Sequence, residues 1–336
     1  MSVKKRKETQ RNAHQHATVK DDVLSDVSKT LDYLQYIVRN PKSIEDSSCE
    51  ISTIIRAMQN NWINGDVQKY GCAALHFVAK NEENMKSITE KGGITVILDA
   101  MKTHESNVAV QFYGAGAIRK IAYNDDNRIT IADKGLKLIF KAMKKHESNR
   151  YVQEYCLGAI GRLAFSDSNK ETIAKGDGIE IILDAMRSHK SNDVVQENGC
   201  GLLWSLSYNR DNKKSISERG GIKVIIDAMN RHTLNEYVQM WGCGTLRMLS
   251  ENYDSNKTIA EKGGIEVILA AISYRARFDM LREHLFLLDH VCVDLSKICK
   301  ICPKIPCIPC LQLCLFRCPP SIQHTALRSL KLPPRV

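Results

Sequence analysis

The sequence contains few aromatic residues and few prolines: Phe, Trp and Tyr make up 6% of the chain, and 8 of its 336 residues are proline. This composition fits stacked helices better than a sandwich of sheets. No run of 18 or more apolar residues is present, so no segment is expected to span a membrane. A polar stretch follows the basic cluster Lys4–Lys7, where a signal peptide would need apolar residues, so none is expected there.

Positive charge is concentrated at the two ends of the chain. The formal net charge is +10, of which residues 1–22 carry +3 and residues 273–336 carry +6. Proteins that bind nucleic acid usually carry a basic stripe on the folded body, so nucleic acid is not expected as a partner. The KKRK cluster at 4–7 is open to two interpretations, a nuclear-localisation signal or an ordinary basic tail.

The 12 cysteines are distributed unevenly, with five in residues 1–290 and seven in residues 292–318. Cys72, Cys200 and Cys243 recur at one position of an internal repeat, as small buried apolar residues do. We therefore expect a reducing compartment and a cytoplasmic protein, with a nuclear location left open.

A repeat of 42–43 residues organises most of the chain. An Ala-Met pair, a Val-Gln pair and an isoleucine each recur five times, with successive spacings of 43, 42, 43 and 43 residues. The markers are Met58, Met101, Met143, Met186 and Met229; Val67, Val110, Val152, Val195 and Val238; and Ile88, Ile131, Ile173, Ile216 and Ile259. Ile272 continues the methionine series after a further 43 residues.

One repeat unit predicts three helices. Apolar residues at helical spacing follow the glycine pair Gly92-Gly93 and run to Met101. After a turn at Ser106-Asn107, which favours a helix N-cap, a longer helix is expected over 108–122, and a short third helix over 128–134. Three helices in about 43 residues are the armadillo arrangement, and paired-helix repeats of similar length are the alternative.

The predicted fold is therefore all-α, an armadillo-type right-handed superhelical solenoid of about five to six three-helix repeats. The expected domains are a basic disordered tail (1–22), an N-terminal capping helix (23–47), the solenoid (48–290) and a Cys/Pro-rich tail that is poorly ordered (291–336).

Two segments resemble the signatures of the armadillo family: 199–207 resembles its third helix, and 221–229 resembles its second. The pattern Ala-Met…His…Val-Gln…Gly-Cys-Gly resembles, more narrowly, the armadillo arrays near the N-terminus of large leucine-rich-repeat kinases and related stand-alone armadillo proteins. The resemblance covers roughly residues 48–272. Because the functions of the family are varied, the fold alone does not select one.

Nuclear-import adaptors of this fold bind basic peptides through a Trp and, four residues later, an Asn on the third helix. The Trp position here holds a small residue in every repeat: Ala73, Gly116, Gly158, Gly201 and Gly244. The Asn position holds Phe77, Lys120, Arg162, Ser205 and Met248. Both sets of residues are absent, and two of the replacements are cations that would repel a basic peptide, so import-cargo binding is disfavoured.

The resemblance implies that the third helices line a concave groove, and the residues there are our candidates for partner binding. They are Phe112, Arg119, Lys120, Arg162, Trp204, Ser205, Met240, Arg247 and Met248. Arg, Trp and Met are enriched at the centres of interfaces. A protein or peptide with acidic and apolar residues is the expected partner. The alternative interpretation is a solvated helix face with extended Arg and Lys stems.

Two further sets of residues recur with the repeat. Glycines occupy one row inside the long helix (Gly71, Gly114, Gly199 and Gly242) and the row of the Trp position described above. Such glycines either allow close packing of helices or form the floor of a binding groove. The groove interpretation applies more to the second row than to the first. Histidines recur at the ends of the second helices, where a C-cap is favoured: His104, His146, His189 and His232. A shared metal site is not expected, because repeats stack about 10 Å apart and metal ligands lie about 2 Å from one ion.

The cysteines of the C-terminal tail suggest an alternative function for the protein. Cys299, Cys302, Cys307 and Cys310 form two CxxC pairs that could hold zinc, although only four residues separate the pairs. Acylation at a membrane is the other possibility. Either would make the protein a metal- or lipid-anchored adaptor located by its tail. Alternative splicing or a different reading frame would also explain why the repeat ends abruptly.

No pattern of an enzyme is found. Gly114-Ala-Gly116 contains the first part of a dinucleotide motif but lies inside a predicted helix with no strand before it. Walker, HExxH and GxSxG motifs are missing, and the carboxylates form no convergent pair. The sequence predicts a non-enzymatic scaffold or adaptor without a cofactor, and a small-molecule substrate is not expected.

Overall fold

The computed structural model describes residues 26–41 and 47–275, and within these ranges it contains helices and no strand. The helices are α1 (Val27–Arg39), α2 (Ser47–Asn60), α3 (Gly65–Val78), α4 (Glu82–Glu90), α5 (Gly93–Thr103), α6 (Val108–Ile121), α7 (Asp125–Lys145), α8 (Arg150–Leu163), α9 (Asp167–Ala174), α10 (Gly178–Ser188), α11 (Asp193–Leu206), α12 (Arg210–Glu218), α13 (Gly221–Arg231), α14 (Glu236–Leu249), α15 (Tyr253–Glu261) and α16 (Gly264–Arg275). The chain divides after Ser188 into two compact units.

The long third helices form the centre of each unit. In the first unit α3 packs against α6 and α6 against α8, and in the second unit α11 packs against α14. Each third helix except α6 is followed by a short helix and a second helix, as in α4–α5 after α3. The predicted all-α, armadillo-type architecture is confirmed. The domain boundaries and the number of repeats remain predictions, and residues 1–25 and 276–336 lie outside the described residues.

The predicted short helix over 128–134 is wrong as a separate element, because α7 runs without a break from Asp125 to Lys145. In the preceding repeat the break occurs at Gly92, which has a φ of 80°. The repeat of α7 is one residue shorter between its isoleucine marker and its second helix, and it lacks this left-handed glycine. Without that glycine the two helices fuse, since other residues rarely adopt a positive φ.

The Val-Gln pair recurs because its glutamine is buried and makes the same hydrogen bonds in successive repeats. The Nε2 of Gln111 donates to the carbonyl oxygens of Met101 and His104, at 2.9 Å each. These carbonyls lie at the C-terminal end of α5, where a helix has no partners of its own for them. Gln68, Gln153 and Gln239 make the same pair of hydrogen bonds. In these four repeats the recurring glutamine therefore closes the end of the second helix.

Asparagines close the other helix ends. Asn107 is the N-cap of α6, and its side chain accepts hydrogen bonds from the backbone N–H groups of Ala109 and Val110. This confirms the N-cap predicted at Ser106-Asn107. The buried Asn127 donates to the carbonyl of Ile121 at the opposite end of the same helix.

The first glycine row packs against the Ala-Met marker. A Cβ added at Gly114 would lie 2.7 Å from the Cγ of Met101, inside van der Waals contact. The same contact pairs Gly71 with Met58 and Gly242 with Met229. At these positions glycine allows close packing between the second and third helices of one repeat. The recurring methionine and the recurring glycine are therefore in contact with each other.

Candidate partner-binding surface

The solvent side of α3, α6 and α8 carries a cluster of aromatic rings and three cations, Arg119, Lys120 and Arg162. We call these rings and cations together the first-unit face. Its rings are His76, Phe77, Phe112, Tyr113, Tyr151 and Tyr155. Neighbouring ring centroids are 4.3 Å apart for Phe112 and Tyr113, and 5.8 Å apart for Phe112 and Tyr155. The structure places the candidate Phe112 in this cluster, where it is partly exposed.

Three candidate cations lie on the same face. Arg119 and Arg162 are exposed, and within the described residues neither forms an ion pair with a carboxylate. Lys120 is half-buried, and its Nζ donates to the carbonyl oxygen of His76 at 2.7 Å. Burial lowers the pKa of Lys120, and the nearby charges of Lys80 and Arg119 lower it further. The face therefore carries three cations that join no ion pair within the described residues, with the carboxylate of Glu154 nearby beside Tyr155.

His76 contributes an aromatic ring rather than a charge. Burial, followed by the charges of Lys120 and Arg119, lowers the pKa of His76 to about 4. The imidazole is therefore neutral at neutral pH. It packs edge-on against Tyr155, with ring centroids 5.6 Å apart and an interplanar angle of 84°.

The second glycine row is covered by side chains of the protein itself. A Cβ at Gly116 would lie 2.9 Å from the Nδ1 of His76 and 2.8 Å from the Cδ1 of Tyr155. At Gly158 it would lie 2.9 Å from a terminal nitrogen of Arg119. Rings and stems from neighbouring repeats thus meet above the small residues. Side chains therefore fill the space above Gly116 and Gly158. These two glycines do not form the open floor of a groove, which was one of the two interpretations of this row.

The second unit carries a different cluster on α11 and α14. Trp204 stacks against Trp241, with ring centroids 4.8 Å apart and an angle of 35°, and Tyr208 packs edge-on against Trp204 at 5.3 Å. The two indoles lie over glycines, Trp204 over Gly244 and Trp241 over Gly201. We call this cluster the second-unit face.

The other second-unit candidates differ in exposure. Ser205, Met240 and Arg247 are partly exposed. Met248 is only 9% exposed and forms part of the core, so the expectation that it faces a partner is wrong. Its sulfur lies 3.9 Å from the Nη2 of Arg247. Met248 occupies the helix position of Lys120 and Arg162, but its apolar side chain gains more from burial than theirs would.

Sequence reasoning missed an aromatic row on these faces. Tyr70, Tyr113, Tyr155 and Trp241 occupy one position of the repeat, directly before the first glycine row. The signal was available, because the same 42–43-residue spacing that identified the methionines also links these aromatic residues.

The recurring histidines join successive turns. His104 is the C-cap of α5, and its backbone N–H donates to the carbonyl of Ala100, as the capping interpretation predicted. Its Nε2 lies 2.8 Å from the carbonyl oxygen of Trp62, one repeat earlier. His146 and His232 make the equivalent contacts at 2.7 Å. Among the described residues, no group of three or more His, Cys, Asp or Glu could hold a metal ion.

Four cysteines of the helices, Cys72, Cys156, Cys200 and Cys243, are buried, whereas Cys49 of α2 is exposed. Burial raises the pKa of Cys72, Cys156 and Cys200 to about 12, so these thiols stay protonated and unreactive. The tail cysteines Cys299, Cys302, Cys307 and Cys310 lie outside the described residues. Over the part of the chain that is described, no helix has the length and hydropathy needed to cross a membrane.

Comparisons with known proteins agree with this architecture. The LRRK2 ARM repeat family matches residues 87–267, which is more than half of the chain. Two crystal structures of engineered proteins are similar, one at 19% identity with a TM-score of 0.59 and the other at 16% with 0.58. Each covers 74% of this chain, and 97% and 98% of the engineered chains respectively.

A third similar structure comes from work on a phosphorylation switch that controls the interaction between cadherin and beta-catenin. It has 16% identity and a TM-score of 0.58, and the match covers 90% of this chain and 65% of that one. At these identities the likeness concerns the fold alone. No curated protein sequence matches the chain.

Proposed function

Because this chain belongs to the LRRK2 ARM repeat family, we propose that it is a non-enzymatic scaffold that binds segments of partner proteins on its third helices. The observation that carries the proposal is the first-unit face, where the exposed Arg119 and Arg162 lie outside ion pairs beside clustered aromatic rings. Exposed groups of apolar side chains often mark interaction sites, and Arg and aromatic residues are enriched at the centres of interfaces.

The partner that fits this face is a segment with acidic and apolar residues. Carboxylates pair well with guanidinium groups, and apolar side chains pack against Phe112 and its neighbours. The tails of the chain itself do not fit, because residues 1–22 carry +3 and residues 273–336 carry +6. We place this function in the cytoplasm, where thiols such as Cys72 and Cys156 remain reduced.

A peptide panel tests the proposal. The full chain is titrated into fluorescein-labelled extended peptides of about 15 residues, long enough at about 3.3 Å per residue to cross several third helices. In each peptide Asp or Glu alternates with Leu or Phe, and its control has Lys in place of every acidic residue. We expect acidic peptides to raise the fluorescence anisotropy at concentrations where their controls do not, with affinity falling as salt rises. Equal binding of both sets, or of neither, would refute the proposal.

A further inference from the structure

Gly161 is a glycine of the third helices that packing does not explain. Seven others lie against side chains of the protein: Gly71, Gly114, Gly116, Gly158, Gly201, Gly242 and Gly244. At Gly161 an added Cβ would meet nothing within 4 Å among the described residues. Gly161 lies inside α8 and is not among the glycines with a positive φ. Glycine is unfavourable in a helix interior, and here neither the backbone nor a close neighbour requires it.

The equivalent position in the other repeats supports a special role for this site. It is occupied by His76, Arg119, Trp204 and Arg247, all of them large. His76, Arg119 and Trp204 each extend over a glycine of a neighbouring third helix. At Gly161 the series of large side chains is interrupted, and the backbone of α8 is left uncovered there.

Cations and an exposed ring surround this uncovered backbone. The guanidinium of Arg119 lies over Gly158, one helical turn before Gly161, and Arg162 follows Gly161 directly. Phe165 is 65% exposed, and its ring centroid lies 5.7 Å from the guanidinium carbon of Arg162. Arg162 lies one helical turn after Gly158 on α8, and its contact with Phe165 places that ring, which follows the C-cap of α8, beside the same end of the helix.

We propose that an extended acidic segment of a partner protein lies with its main chain against α8 at Gly161. A second backbone can approach a helix closely only where no side chain intervenes. In this arrangement carboxylates on either side of the contact pair with Arg119 and Arg162, which have no acidic partner in the described region. An apolar side chain of the segment packs on Phe165. This inference rests on the proposed function and names where and how its partner binds.

The test uses the full chain with Gly161→Leu and Gly161→Ala, and the acidic peptides that bind the wild type serve as probes. Both variants should unfold at or above the wild-type temperature, since the added atoms enter open space and favour the helix. Gly161→Leu should bind the acidic peptides about ten-fold more weakly or worse, because its side chain occupies the place of the partner backbone. Gly161→Ala should show a smaller loss. Thr130→Leu, which places the same leucine side chain at an exposed position of α7, should bind like the wild type.

The outcomes separate this inference from the function on which it rests. If acidic peptides bind and Gly161→Leu binds them as well as the wild type, the contact at Gly161 is refuted while the scaffold function stands. If Gly161→Leu or Gly161→Ala unfolds at a lower temperature, glycine is needed for folding, and the inference is overturned on that ground. If no acidic peptide binds the wild type above its lysine control, the proposed function and the inference fail together.

Discussion

Reversing the charge of Arg119 and Arg162 together, as Arg119→Glu with Arg162→Glu, is expected to weaken binding of acidic peptides by about a hundred-fold, or ~2.7 kcal/mol. Each change removes an attraction and replaces it with a repulsion of like charges, which costs more than deletion of the charge. Both side chains are exposed, so the folded protein should tolerate the change. Anisotropy titrations of the full chain measure the effect.

Lys120 is left unchanged in this variant because of its surroundings. Its Nζ is half-buried and bonded to the carbonyl of His76, so a carboxylate there would face an acceptor and lose its solvation. A loss of binding in Lys120→Glu could therefore reflect a loss of folding. Arg119 and Arg162 avoid that ambiguity.

A matched control changes the net charge equally at another place. Lys102→Glu with Lys137→Glu reverses two exposed lysines of α5 and α7, outside the third helices. This variant should bind within about two-fold of the wild type, apart from a weak long-range effect that salt screens. If the two double variants lose affinity equally, the effect is one of net charge, and the first-unit face is not the binding surface.

Gly114→Val is expected to lower the free energy of unfolding by about 2–3 kcal/mol. The added methyl groups would enter the space of the Met101 side chain, whose Cγ would already lie 2.7 Å from a Cβ at this position. The packed interior between α5 and α6 leaves little room for Met101 to move. Urea denaturation of the purified chain, followed by circular dichroism at the helix band, gives the value.

The same substitution at Gly161 is the control for this result. Gly161→Val places an identical side chain inside a third helix, but where nothing described lies within 4 Å, so stability should change by less than about 0.5 kcal/mol. Gly114→Val combined with Met101→Ala should be less destabilised than the sum of the two single changes, since each relieves the other. Equal destabilisation at Gly114 and Gly161 would contradict the assignment of Gly114 to close packing.

The sequence markers identified the repeat because each has a local physical cause. Gln111 closes the end of α5, Gly114 admits Met101, and His104 reaches the turn of the preceding repeat. Such interactions recur at fixed spacing, so a single sequence displays them. The fusion of two helices into α7 escaped prediction because it depends on one missing residue, which appears in the sequence only as a spacing of 42 instead of 43.

The candidate surface was predicted less completely than the fold. Helical spacing correctly placed Arg119, Arg162 and Phe112 on exposed or partly exposed sides of their helices. It misplaced Met248 and missed the pairing of Trp204 with Trp241. Those features depend on how side chains of one repeat extend over glycines of the next. A helical pattern within one repeat contains no information about such contacts between repeats.

Binding of an acidic partner segment to the first-unit face is tested most directly by site-specific photo-crosslinking. The photoreactive residue p-benzoylphenylalanine replaces Phe165, which is exposed beside Arg162 of this face, or Tyr36, which is 55% exposed on α1. Both replacements exchange one exposed aromatic ring for another. With the tightest acidic peptide, we predict crosslinking from position 165 and little from position 36. Equal crosslinking from both positions, or crosslinking from position 36 alone, would contradict the assignment of this face as the partner-binding surface.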